Sequence, residues 1–212
     1  MTARLANLLA LADSRLPTGG HVHSGGVEEA IECGLVRDLA TLDAYLRRRI
    51  GSTGLVAGSI AAAVCGGALA PDVADAETDA RTPSPAARAA SRAQGRGLLR
   101  LSKHAWPQHD WSVLGMRPHL PVAVGEAARV CGLTPAETAM ALVYTTMTGS
   151  AIAAQRLLAL DPADVAACTF ALSDLCDRTA DLAATGLADL SDPLLDVVAQ
   201  AHLERERPLF AS

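Results

Sequence analysis

The chain has 212 residues, half of them hydrophobic but only 3% aromatic, and a net charge of -5. It is long enough to bury a substantial core, which must be built from Ala, Leu and Val, the materials of helices packed closely through small residues. The acidic balance offers no general attraction to nucleic acid or to an anionic membrane.

The five cysteines, Cys33, Cys65, Cys131, Cys168 and Cys176, are widely spread and form no C-x-x-C pair. They indicate neither a zinc knuckle nor a disulfide framework, and fit a reduced, cytoplasmic compartment. Isolated in apolar segments, they read as small core residues. The opening residues, Met1-Thr2-Ala3-Arg4-Leu5, lack the sustained apolar run of a signal peptide.

Leu5, Leu8, Leu9 and Ala12 recur at helical spacing and predict a short first helix that ends at Ser14–Pro17. The stretch from Asp13 to Glu29 then gathers one proline, four glycines, two histidines and three carboxylates. Pro17 fixes its own φ and pushes Leu16 out of the α region, so this is a defined loop between two helices. Ser24 is the expected N-cap of the second helix, with Glu28 and Glu29 near the positive end of its dipole. Asp38 or Thr41 starts a third, whose apolar positions are Leu39, Leu42, Tyr45, Leu46 and Ile50.

Gly54 to Ala70 carries no charge, follows Arg47-Arg48-Arg49, and contains the Gly54-x-x-x-Gly58 spacing used by membrane helices. It is short for a span and rich in Ala and Gly, which points to a buried helix of a soluble protein. An acidic piece with Asp72, Asp75, Glu77 and Asp79 and a Thr82-Pro83-Ser84-Pro85 linker follow. The next helix carries Arg88, Arg92, Arg96 and Arg100 at i+4 spacing, a row along one side. Trp106 to Pro118 reads as a second long loop. Thr134-Pro135-Ala136-Glu137 is a capping box with proline at the first helical position, and Asp161-Pro162 and Asp192-Pro193 start later helices. Nothing alternates with period two. The expectation is one all-α domain over 1–212 with about nine or ten helices, and a partner-docking tail near 205–212.

No P-loop, nucleophile elbow or H-E-x-x-H pair is present, and Gly95-Arg96-Gly97 does not follow a strand. Three features remain. His21 and His23 are candidate nickel or zinc ligands with Asp13 or Glu28 nearby, or else groups that tie down the loop. The arginine row either receives an acidic partner or is a solvated face neutralised by Asp72 to Asp79. The terminal Pro208-Leu209-Phe210 either docks on its own core or awaits another protein.

Asp13-Ser14-x-Leu16-Pro17-Thr18-Gly19 followed by His23-Ser24-x-Gly26-x-Glu28 resembles the signature of the urease accessory protein UreF family. Ser91-Arg92-Ala93-Gln94-Gly95-Arg96, Ser150-Ala151 with Arg156-Leu157, and Asp192-Pro193-Leu194-Leu195-Asp196 with His202 and Leu209-Phe210-x-Ser212 resemble later stretches of it, in order. The resemblance implies an all-helical, non-catalytic protein that dimerises, binds UreD (also called UreH), recruits the GTPase UreG and serves nickel delivery to apo-urease. Nickel would be handled by the complex, with no cofactor held stably and no nucleic acid or membrane partner. Carried over residue by residue, the partner-binding or structural positions are Asp13, Ser14, Pro17, Thr18, Gly19, His23, Ser24, Gly26, Glu28, Arg92, Gln94, Arg96, Arg156, His202, Leu209 and Phe210. Modulation of UreG would be its one contact with catalysis. His21 stands where the family usually has an aromatic residue, and Asp161-Pro162 where many members have Gly-Gln. The alternative from the residues alone is a metal-binding helical protein, or a metal-dependent enzyme, using His21 and His23.

Overall fold

The uncharged segment after Arg47–Arg49 forms the centre of the molecule. The computed structural model describes residues 2–190, 192–201, 209 and 210, the side chains of 2, 3 and 21 excepted. Among these residues the chain is helical and contains no strand. Helix α1 is Thr2–Leu11, α2 Val27–Glu32, α3 Leu39–Arg49, α4 Leu55–Cys65, α5 Pro71–Ala80 and α6 Pro85–Ala105. Helix α7 is Leu120–Val130, α8 Pro135–Leu158, α9 Pro162–Ala171, α10 Ser173–Ala183 and α11 Pro193–Ala201. A π turn, Ile50–Gly54, carries α3 directly into α4, so the eleven segments make ten continuous helical rods.

Helix α4 is apolar all round and accordingly buried, from Val56 through Cys65 with few gaps. Helices α7, α8 and α10 pack around it, and α6 lies on the outer side of α7. One apolar cluster joins α2, α3 and the second half of α8 to α9, α10 and α11 through Leu42, Leu46, Ile50, Met147 and Leu172. A second joins α4, α6 and α7 through Ile60, Leu98, Val122 and Trp111. Among the described residues no helix is long and apolar enough to cross a membrane.

The start signals act locally, as the sequence indicates. Asp38 and Thr41 form a capping box at α3, and Thr134 and Glu137 another at α8, each satisfying backbone donors that a helix start leaves free. Asp161 accepts from the Ala163 N–H, and Asp192 from Leu194 and Leu195. The cap of α2 is displaced. Gly26 is its N-cap residue, at φ 86°, while Ser24 Oγ accepts from the Gly26 and Glu28 amides from outside the helix.

The structure adds two further details. The acidic piece is itself a helix, α5, entered through Pro71 at its first turn, where proline costs no hydrogen bond. In α1 the partly buried side is Leu8 and Leu11, which meet Cys65, Ala128 and Leu133, whereas Leu5 and Leu9 are exposed. The loop 106–118 is packed and not free. The Trp111 indole N–H donates to the Trp106 carbonyl at 3.0 Å, and His109 meets buried Glu126 at 2.7 Å.

Candidate functional site

The motif loop folds back on itself before it meets the helices. The Arg15 guanidinium brackets the Asp13 carboxylate, with Nη2 to Oδ2 at 2.7 Å, and the Arg15 amide also donates to it. These bonds hold the Asp13 carboxyl down at about 2. Beyond Pro17, Thr18 lies on the backbone of Gly97 in α6, and Gly19 turns the chain at φ 80° into a short 3-10 turn, Gly20–Val22. The loop exit is tied by its carbonyls. Ser150 of α8 donates to the Ser24 carbonyl at 3.1 Å, and Tyr45 of α3 to the Gly25 carbonyl at 3.0 Å. The Gly25 carbonyl also accepts from Arg49.

The loop and helices α4, α6, α7, α8 and α11, with Arg49 at the end of α3, line an open-sided cavity of about 610 Å3. Asp13, Ser14, Thr18, His23, Gly25 and Gly26 line it from the loop. Ser91 and Gln94 of α6, Thr145, Thr146 and Arg156 of α8, and Phe210 from the tail line the facing sides. Glu28, 2% exposed, accepts the Leu209 and Phe210 amides at 2.8 and 3.1 Å on its two carboxylate oxygens. Phe210 packs against the first apolar cluster, and Leu209 points outward. On α11, burial followed by the nearby Asp192 charge pushes the Asp196 carboxyl up.

The arginine row divides. Arg92 reaches Asp75 and Asp79 of α5 at 2.9 and 2.7 Å and donates to the Arg117 carbonyl at 2.6 Å. Arg88 donates to the Thr82 and Pro83 carbonyls. Arg96 and Arg100 face solvent. The acidic run therefore neutralises the first half of the row and leaves the second half out.

Sequence reasoning missed the group that completes this network. His119, fully buried, places Nε2 2.8 Å from Asp79 Oδ1 and Nδ1 3.0 Å from Ser91 Oγ, and its amide donates to Asp75 Oδ1. The bonds fit a neutral ring with the proton on Nε2: Asp79 accepts it, Ser91 donates to Nδ1, and Ser91 Oγ accepts from the Leu120 amide. Desolvation lowers the His119 pKa and the Arg92 charge adds to the effect, against the pull of the carboxylates. Burial works to raise the Asp79 carboxyl, but the bonds from His119 and Arg92 outweigh it and hold it below the ordinary range. Asp75, Asp79 and His119 are close enough to hold a cation. The Arg92 guanidinium already supplies that charge, so the cluster reads as a clamp joining α5, α6 and the start of α7. The i,i+4 spacing of Asp75 and Asp79 opposite an arginine row was the available signal; nothing marked His119.

The structure thus gathers Asp13, Ser14, Thr18, His23, Gly26, Gln94, Arg156 and Phe210 at one cavity and places Glu28 under the tail. Pro17 and Gly19 shape the loop behind it. Arg92 and Arg96 lie apart from it. His202 and the His21 side chain lie outside the described residues.

The UreF family model matches residues 36–173. A urease accessory protein UreF from Mycolicibacterium vanbaalenii is 72% identical over 211 residues, covering 98% of this chain and 99% of the relative. The protein of that name from Mycobacterium marinum is 70% identical, and that from Mycobacterium tuberculosis strain H37Ra 64%, each over 208 residues at the same coverage. The chain belongs to the UreF family. The family model begins after the motif loop, but the full-length relatives span it, so the loop and cavity lie within the region of likeness.

Proposed function

We propose that the protein is a non-catalytic accessory factor in urease maturation, working in the cytoplasm as a homodimer. It binds UreD and recruits the GTPase UreG, and the assembly delivers nickel, its cargo, to apo-urease. It holds no cofactor stably; modulation of GTP hydrolysis by UreG belongs to the same reading. The observation that carries the proposal is the 64–72% identity, over nearly the whole chain, to proteins named urease accessory protein UreF. The all-α fold and a motif loop held rigidly by Tyr45, Arg49 and Ser150 suit a scaffold that presents a fixed surface.

The test is deletion of the gene in a urease-positive host, with nickel content and activity measured on purified urease, and co-purification of UreD and UreG with the tagged chain. Loss of nickel loading, restored by the wild-type chain, supports the proposal. Normal loading in the deletion strain overturns it. Tight stoichiometric nickel binding by the isolated chain, abolished by His23→Ala in a folded protein, would favour a metal-binding protein instead.

A further inference from the structure

The second half of the arginine row has no counterpart within the chain. Arg96, Arg100 and Lys103 of α6 are exposed, and at 3.6 residues per turn they fall within an arc of about 60° on the helix. Arg117 joins them from the loop before α7. That loop crosses α6 at Gly95, where an added methyl group would collide with the Pro118 carbonyl oxygen. Its Arg117 carbonyl is held by Arg92, one turn before Arg96. None of Arg96, Arg100, Lys103 and Arg117 has an ion-pair partner among the described residues, whereas Arg88 and Arg92, earlier in the row, both meet Asp79. Like charges at i,i+4, as in Arg96 and Arg100, weaken a helix slightly, so the patch adds nothing to the fold. Beside Arg117, Met116 is 87% exposed, and Val113 of the same loop is half-exposed. A flexible thioether alongside guanidinium groups is the composition of an adaptable contact surface.

We infer that this face, Arg96, Arg100 and Lys103 of α6 with Met116 and Arg117 of the loop, docks an acidic segment of a partner protein, its carboxylates on the cations and an apolar side chain on Met116. Guanidinium groups pair with carboxylates bidentately, and cations at i, i+4 and i+7 match a helix face that carries carboxylates at the same spacing. Nucleic acid fits less well. Its phosphates continue past a short patch, and here they would meet Asp110 on the loop and Asp75 and Asp79 beside Arg92, in a chain of net charge -5. The inference concerns a face that the proposed function leaves unassigned, and it stands apart from the role in urease maturation.

A fluorescently labelled helical peptide with glutamates at i, i+4 and i+7 and one leucine among them is the probe, titrated into the full-length chain in about 0.1 M salt and followed by anisotropy. The wild type binds it, and Arg100→Glu weakens binding about fivefold or more. Arg37→Glu, the same reversal at an exposed arginine before α3, changes it less than about twofold. Met116→Ser weakens it about threefold or more and leaves its salt dependence unchanged, which separates the apolar contact from the charges. All the substituted side chains are exposed, so melting temperatures within a few degrees of the wild type show that a lost interaction is not a lost fold. No binding by the wild type, or equal losses in Arg100→Glu and Arg37→Glu, overturns the inference. So does a single-stranded DNA oligonucleotide of the same net charge that binds this face more tightly than the peptide. Binding unchanged by Met116→Ser overturns the apolar contact.

Discussion

Gly97 lies so close to Thr18 that a methyl group on it would stand 2.6 Å from the Thr18 carbonyl oxygen and 2.8 Å from its Cα. The obstacle is backbone, which cannot swing away as a side-chain tip could. The motif loop is thus seated on α6 through a position that only glycine fits.

Gly97→Ala should lower stability by about 1–3 kcal/mol, because overpacking against backbone outweighs the roughly 1 kcal/mol that alanine gains in a helix interior. Gly149 in α8 is the control, since an added Cβ there meets nothing within 4 Å. Gly149→Ala should stabilise by up to about 1 kcal/mol. Urea denaturation of the two variants checks both signs, and a stabilised Gly97→Ala would show that the loop is not seated there.

The clamp on His119 predicts an acid-sensitive fold. Its folded pKa lies below the ordinary 6.5, so the unfolded chain takes up the proton first. The contribution is fully present above pH 6.5 and is lost as the pH falls below it; the depressed Asp79 carboxyl adds a loss of the same sign below its ordinary 3.8. Stability measured by denaturant between pH 8 and 5 should fall in the wild type and fall less steeply in His119→Gln. That variant should also lose about 1–3 kcal/mol at pH 8, for the broken hydrogen bonds of a buried group.

Arg92 and Arg96 occupy successive places in one sequence row but should behave differently. Arg92→Ala leaves Asp75 and Asp79 facing His119 without the intervening cation, and should cost about 2–4 kcal/mol. Arg96 is exposed, and Arg96→Ala should change stability by no more than about 0.5 kcal/mol. Thermal melts of the two proteins separate a structural clamp from a solvated charge. Equal losses would mean that the row acts as a unit.

Much of this architecture was legible because its signals are local. Each of Thr134, Asp161 and Asp192 sits beside the proline that opens its helix, and each accepts from the amides two or three residues on. The class of the fold followed from the helical spacing alone. What was hidden is what the chain brings together from far apart. His119 meets Asp79 across 40 residues, and Phe210 meets Glu28 across 182. Ser24 misled because its hydroxyl does bond the start of α2, but from two residues before the N-cap. Leu5 and Leu9 misled because spacing identifies a stripe without saying which side of it finds a neighbour.

The last prediction concerns the exit of the motif loop. The Gly25 carbonyl accepts from both Tyr45 and Arg49, and buried Ser150 holds the preceding carbonyl from α8. A carbonyl oxygen has two lone pairs, so the two donors share one acceptor without competing for it. Tyr45→Phe removes one donor and leaves Gly25 satisfied by Arg49, and should cost about 0.5–1.5 kcal/mol. Arg49→Met removes the other and should cost a similar amount. The double variant leaves the half-buried carbonyl without either donor, so its loss should exceed the sum of the singles by about 1 kcal/mol. Equilibrium unfolding of the four proteins closes this cycle. Simple additivity would show that the loop is held elsewhere and that Gly25 is not its anchor.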